Sequence, residues 1–431
     1  MTPNDTGTWM DGGSLSDPDT GRPLSLPIRA IEIRESLAGM EAELVGRLGF
    51  GPALLLVSDV DTRDALGKRV ASALSSRHRL TTVVLPAGPE ADEKTAGALR
   101  EAAAAVDAVV AVGSGTINDL CKYAAHRAGK PYAVFGTAPS MNGYTSANAS
   151  ISTNGFKQTL PATAPQGVFL DLDVLARAPA RLIRAGLGDS LCRGTAQADW
   201  LLAHLVRGDW YWELPFRLLA RDEEGLLAEP EALLAGERSA VARLARTLVL
   251  SGIGMTLSGG SYPASQGEHL ISHYMEMMAP RDRPPCLHGE QIGVATLTMA
   301  ELQERLLSGP APRVHATRVR EADLVAHFGE ELGRACWREL AAKALDESAA
   351  EALNARLARD WDAIRARIAP VTHPPDRLRR VLRRAGAPDT PAALGLPPDF
   401  YRAAVYHARE IRNRYTFLDL AADSGLLEAG P

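Results

Sequence analysis

Between Ile28 and about Leu170, short apolar runs alternate with amphipathic stretches. The runs are RAIEIR, ALLLVSD, TTVVLPA, AVVAVGS, YAVFGTA and GVFLDLD, each bounded by polar or glycine-containing segments. Near-continuous apolar character over such short lengths predicts strands covered on both faces. TRDALGKRVASALSSR and EKTAGALREAAAAV lie between them and carry apolar residues at helical spacing. Single helices between buried strands predict a parallel, doubly wound, Rossmann-like α/β domain.

After Asp173 the strand-like runs stop. LARTLVLSGIGMTL, GVATLTMAELQERLL and ESAAEALNARLARDWDAIRARI keep a helical period, which predicts an all-α region to the C-terminus. Breaks at SGPAPR, VTHPPD, RAGAPDTPAALGLPP and the tail EAGP divide its helices. The expected organisation is a flexible arm over 1–27, rich in Gly, Asp, Ser, Thr and Pro, an α/β domain over 28–173 and a helical domain over 174–431.

Composition removes several classes of partner. A net charge of −5 and 5% aromatic residues provide neither the basic field nor the stacking surface of a nucleic-acid binder. No apolar run approaches the ~18 residues of a membrane span, and the N-terminus lacks the basic and apolar regions of a signal peptide. Cys121, Cys192, Cys286 and Cys336 are widely spaced and form no CxxC pair, which fits reduced thiols in a cytoplasm.

Two places carry candidate chemistry. Gly113-Ser114-Gly115 sits where the run ending at Val112 hands over to a helix beginning near Thr116. Glycines there let the backbone approach a ligand, and the helix N–H groups favour an anion such as a pyrophosphate; a plain tight turn has the same pattern. Asp59, at the end of ALLLVSD, can accept hydrogen bonds from an adenosine ribose, favouring NAD(H) over NADP(H), or can belong to a solvated turn. In the helical part, Asp189 in GLGDSLCR, His269 and His273 four apart in GEHLISHYMEM, and His288 in LHGEQIG bring together metal-ligand residue types. One carboxylate and two imidazoles suit a catalytic Zn²⁺, Ni²⁺ or Fe²⁺. Each alone also has an ordinary structural use, Asp189 as an N-cap and the histidine pair as one helix face. Three of the ten histidines nevertheless fall between 269 and 288.

VGSGTINDLCKY, GTAPSMNGYTS, GLGDSL, EHLISH, LHGEQIG and IRNRYTFLDL follow one another in this order. Together they resemble the dehydroquinate synthase-like and iron-containing alcohol dehydrogenase superfamily, most nearly its sn-glycerol-1-phosphate dehydrogenase branch. The resemblance runs from about Ile28 to Leu420. It implies the dehydroquinate synthase-like fold, NAD(P)(H), one divalent metal (Zn²⁺ first, Ni²⁺ or Fe²⁺ after it), a phosphorylated small-molecule substrate and a homodimer. The implied activity interconverts dihydroxyacetone phosphate and sn-glycerol 1-phosphate.

The resemblance also implies residue roles. Gly113, Ser114, Gly115, Thr116 and Asp119 fall at the pyrophosphate. Thr137, Ser140 and Ser146 belong to a segment over the nicotinamide and substrate. Asp189, His269 and His288 match metal ligands, and His273 matches a residue near the substrate that can carry a proton. Asn142 departs from the family, which has an acidic residue there, and loses the ability to take up a proton. Arg193 stands where relatives often carry lysine. These departures leave room for another polyol, cyclitol or phosphonate-type ketone as substrate, or for a dehydroquinate-synthase-like cyclase. A nucleotide-binding protein without catalysis is the remaining alternative.

Overall fold

The six expected strands pair side by side in one sheet. The structure, a computed structural model, describes residues 8–11, 14–17, 20–153, 156–279 and 286–427. Its strands are β1 (Thr8–Asp11), β2 (Ser14–Ser16), β3 (Pro23–Ser25), β4 (Ala30–Arg34), β5 (Ala53–Asp59) and β6 (Arg79–Leu85). They continue with β7 (Ala108–Gly113), β8 (Tyr132–Gly136), β9 (Asn148–Thr153), β10 (Phe156–Pro161) and β11 (Gly167–Asp171).

The main sheet has the order β1-β4-β11-β8-β7-β5-β6. Every neighbouring pair in it is parallel except β1 with β4. Residues of β5, β7, β8 and β11 are buried throughout, whereas edge strand β6 is partly exposed. Leu54, Leu56, Val110, Val112, Phe135 and Phe169 belong to one apolar cluster. Phe135 and Phe169, opposite each other on β8 and β11, have ring centroids 4.8 Å apart.

The chain forms two compact units, residues 1–190 with 214–261 and residues 191–213 with 262–431. This differs from the single boundary expected at 173. The helices Leu214–Ala228 and Arg238–Leu257 pack on each other in the first unit, and helical periodicity cannot say against which unit a helix packs. Arg238–Leu257 is also the one helix among the described residues long and apolar enough to cross a membrane, yet 72% of its apolar window is buried inside the protein. It is built as a core helix. The second unit is helical, with Leu270, Ile271, Met299, Leu357 and Trp361 in its core.

Two features escaped the sequence pattern. Within the arm expected to be flexible, β1 adds a seventh strand to the sheet and β2 pairs with β3. Positions 1–7, 12–13 and 18–19 of that arm, and the tail from 428, lie outside the described residues. β9 and β10 form an antiparallel hairpin; an Asn-Gly pair at 154–155, a common hairpin signal, was the clue to it.

Candidate functional site

In the first unit, β5 leads outward to β6 while β7 lies on the opposite side of β5. Such a reversal is where open α/β sheets bind ligands, at the carboxyl ends of the strands. Asp59 ends β5 and Gly113 ends β7, so both lie at this switch point. The helix Gly115–Ala128 then begins with Ser114 as N-cap, without a side-chain cap and with no acidic residue in its first turn. Its leading N–H groups therefore suit an anion.

The two glycines of the turn act differently. A Cβ on Gly113 would lie 2.5 Å from Ile117 Cβ, so glycine permits the helix to pack on the strand end. A Cβ on Gly115 would meet only the flexible Met141 side chain, at 3.2 Å. Asp59 caps the turn that follows it, accepting from the Thr62 N–H at 2.7 Å and the Thr62 hydroxyl at 2.9 Å. Asp119 holds the Ser150 N–H at 3.0 Å and lies 3.6 Å from Lys122.

The segment leaving β8 runs beside the turn, where the Thr137 N–H donates to Gly113 O at 3.1 Å. Thr137 and Ser146 are buried and Ser140 is half-buried. Lys122, fully buried, donates from Nζ to the carbonyls of Gly143 (2.5 Å) and Asn148 (2.9 Å) and to Ser146 Oγ (3.1 Å). Thr145 Oγ1 donates to Val249 O at 2.7 Å, and Thr256 Oγ1 donates to Thr145 O at 2.8 Å. Gly186 and Gly252 make room for the segment, since a Cβ on Gly186 would overlap the Pro139 carbonyl and one on Gly252 would crowd Asn142 O at 2.5 Å. Asn142 donates from its backbone to Asp189 Oδ2 at 2.9 Å and from its side chain to Ser251 Oγ at 3.2 Å. Asp189 itself is buried, in the helix Ala180–Leu191.

In the second unit three histidines gather. His269 and His273 share a face of the helix Gly267–Met278, and His288 opens the helix His288–Ser308. Ring centroids of His269 and His288 are 5.3 Å apart, and His273 lies 6.1 Å and 6.3 Å from them. Ser272 Oγ donates to Gln291 Oε1 at 2.9 Å, tying the two helices together. Nδ1 of His269 lies 2.9 Å from Glu268 Oε1, and Nδ1 of His288 lies 3.2 Å from Glu276 Oε1. A carboxylate accepts, so each Nδ1 carries the proton and each Nε2 the lone pair. Carboxylates commonly orient metal-binding imidazoles in this way, and the pair fits a divalent cation on that ground.

Glu268 is fully buried and also accepts from the Gln266 N–H at 2.9 Å and the Thr195 hydroxyl at 3.2 Å. Asp199 accepts from the Gly267 and Phe417 N–H groups, both at 2.9 Å. Burial, then the Glu268 charge, pushes the Asp199 carboxyl up to about 8. Burial, then the Arg412 charge, holds His273 well below the ordinary imidazole range, which leaves it neutral at pH 7. Arg193, noted in the sequence, donates to Gln197 Oε1 at 3.2 Å.

Sequence reasoning missed Lys122, Gly186, Gly252, Glu268 and Glu276. The two glutamates had a visible signal, since both flank the histidines in GEHLISHYMEM.

The model of the iron-containing alcohol dehydrogenase family matches residues 32–179. A glycerol-1-phosphate dehydrogenase [NAD(P)+] from Bacillus licheniformis is 30% identical over 378 residues, covering 86% of this chain and 83% of its own length. One from Thermococcus kodakarensis is 32% identical over 281 residues, covering 65% of this chain and 78% of its own. Among solved structures, a probable glycerol dehydrogenase from Sinorhizobium meliloti superposes with a TM-score of 0.59 at 20% identity, covering 90% of this chain and 94% of that one. This last likeness speaks for the fold.

Proposed function

Because this chain belongs to the glycerol-1-phosphate dehydrogenase family, we propose that it is an NAD(P)-dependent oxidoreductase interconverting dihydroxyacetone phosphate and sn-glycerol 1-phosphate. The observation that carries the reading is the His269–His288 pair, each ring oriented by a carboxylate, in a chain similar to these dehydrogenases along most of their length. Asp189 is the third ligand in this reading, and Zn²⁺ is the first candidate among divalent ions. When bound, the cation supplies Lewis acidity at the carbonyl or carbinol oxygen, and the nicotinamide supplies or accepts the hydride.

The remaining tasks fall to side chains and backbone. The Gly113–Thr116 turn receives the pyrophosphate, and Asp59 faces the ribose. The Thr137–Ser146 segment, fixed by Lys122 and by Asp119 through Ser150, shapes the nicotinamide and substrate side. His273, neutral at pH 7, takes the proton of the substrate hydroxyl at a ring nitrogen in oxidation and returns it in reduction.

A positive field for the substrate phosphate comes from Arg412 and Arg414. Arg412 sits in extended backbone (φ −151°, ψ 155°) after the turn Ala408–Ile411, which packs on the histidine-bearing helix. Arg414 lies over the Tyr262 ring at 4.5 Å. Burial, then the Arg412 charge, pushes Arg414 down to about 9, and an anion between two guanidiniums relieves that repulsion.

Asn142 is consistent with this substrate, because the contact it makes to Asp189 comes from the backbone and not from the side chain in which it departs from the family. The four free thiols fit a cytoplasmic enzyme, and we place it there as a homodimer. The test follows NADH and NADPH oxidation with dihydroxyacetone phosphate, after chelation and after adding back Zn²⁺, Ni²⁺ or Fe²⁺. Turnover restored by a cation supports the reading. A metal-loaded protein inert toward dihydroxyacetone phosphate overturns it.

A further inference from the structure

We propose that Cys192, Glu268 and His269 form a second cation site, bearing a thiolate, that captures soft divalent ions and withdraws His269 from the catalytic set. Cys192 immediately precedes the helix Arg193–Arg207, while Glu268 and His269 lie in the first turn of Gly267–Met278. One ligand atom from each lies within 4.8 Å of the other two, and all three residues are buried. Ligands on one tetrahedral Zn²⁺, at ~2.3 Å for sulfur and ~2.0–2.2 Å for nitrogen and oxygen, stand about 3.5 Å apart. The site therefore needs to close by no more than about 1.3 Å.

The residues are suited to that closure. Cys192 Sγ lies 3.9 Å from the Ala264 carbonyl, a weak contact that a metal–sulfur bond replaces. Glu268 is held as an acceptor by the Gln266 N–H and the Thr195 hydroxyl. Thiolate sulfur favours a soft ion such as Cd²⁺ over the harder cations proposed for the catalytic set. Among the described residues no other cysteine belongs to such a cluster.

Nδ1 of His269 is the nitrogen that faces Glu268, so this cation takes the Nδ1 lone pair with the ring proton moved to Nε2. A neutral imidazole in that tautomer has no lone pair left for the catalytic cation. On binding, the thiol releases its proton to solvent, the imidazole stays neutral and no electrons are transferred. The consequence is inhibition by soft cations in a chain whose proposed catalytic ligands contain no sulfur. That consequence rests on the proposed role of His269, whereas occupancy of the site does not.

Cd²⁺ is the probe, added to the full chain without substrate or nicotinamide, and the readout is the ultraviolet charge-transfer band of a cadmium–thiolate bond. Wild type should show the band at one Cd²⁺ per chain. Cys192→Ala and the more conservative Cys192→Ser should lose it, and His288→Ala should keep it. In turnover assays Cd²⁺ should inactivate wild type, while Cys192→Ala stays active and resists it. No band in wild type, a band that survives Cys192→Ala, or one also lost in His288→Ala overturns the site. Cd²⁺ inactivation that persists in Cys192→Ala after the band is gone overturns the withdrawal of His269.

Discussion

The backbone N–H of Asn142 donates to Asp189 Oδ2 at 2.9 Å, so the main chain of the Thr137–Ser146 segment holds the carboxylate proposed as a metal ligand. Any residue but proline at 142 preserves that bond. Asn142→Asp should therefore leave metal content unchanged and alter kcat/KM for dihydroxyacetone phosphate by less than ~10-fold, or 1.4 kcal/mol. Its only side-chain bond, to Ser251, can be remade with the serine as donor. A larger rise in kcat/KM would show that residue 142 sets substrate choice.

His269→Ala and His288→Ala should each lose bound metal and turnover, since each removes one of three proposed protein ligands. His273→Ala should keep the metal and lose rate. Glu268→Gln and Glu276→Gln should weaken metal affinity ~10–100-fold, because the rings lose the carboxylates that orient them. Metal analysis beside steady-state rates separates these outcomes. Full occupancy in both ligand variants would remove the assignment.

Lys122 makes its case through burial. Its ammonium is fully buried against two carbonyls, Ser146 and the Asp119 carboxylate. Lys122→Met removes their shared charged donor, while Gly143 O and Asn148 O keep the Ser146 hydroxyl and Asp119 keeps the Ser150 N–H. The substitution should cost ~1–3 kcal/mol, read as a lower Tm. If the lysine also positions the segment, KM for NADH should rise in the folded variant. An unchanged Tm would show that the segment holds without it.

These residues show where the sequence was legible. The six parallel strands are each a run of apolar residues, and a buried strand must look like that whatever its neighbours. Gly113, Asp189, His269 and His288 carried the chemistry proposed for them in their residue types. Lys122 did not, because a lysine in a helix reads as a solvated side chain until the carbonyls it meets more than twenty residues later are known. Gly186 and Gly252 sit in helices, where glycine looks like a defect until the opposing backbone is seen. The division into units was equally hidden, since Arg238–Leu257 has the same pattern in either unit.

His327 predicts a pH dependence of stability. Its ring stacks on His407 at 3.7 Å, its Nε2 lies 2.8 Å from the Tyr274 hydroxyl, and Phe328 packs edge-on. Glu410 Oε2 lies 2.8 Å from His407 Nδ1. Burial, then the His407 charge, lowers His327 to about 4. The unfolded chain takes up this proton near pH 6.5 and the folded chain only near 4, so stability falls as pH drops through that window. His327 is only half-buried, and solvent screening limits the effect to about 1 kcal/mol. His327→Gln should flatten the denaturation midpoint between pH 7 and 4. An unaltered profile would place the dependence elsewhere.

Gly186 and Gly115 separate packing from ligand binding, because alanine at each should act in a different way. Glycine inside a helix ordinarily costs ~1 kcal/mol relative to alanine, so Gly186→Ala would stabilise the helix Ala180–Leu191 if nothing opposed it. The Pro139 carbonyl opposes it, as main chain within the volume the new methyl needs. Relief requires moving the segment that carries Asn142, and with it the bond to Asp189. Gly186→Ala should therefore lower Tm and weaken both metal and NADH binding. At Gly115 the methyl meets only Met141 Cγ at 3.2 Å, and that side chain can swing aside. Gly115→Ala should keep or raise Tm and retain the metal, yet bind NADH more weakly, since the methyl stands at the helix N-terminus proposed to receive the pyrophosphate. Thermal melts, metal analysis and an NADH titration on both variants decide it. NADH affinity unchanged in Gly115→Ala would move the pyrophosphate away from this turn, and a Tm raised in Gly186→Ala would remove the packing role given to that glycine.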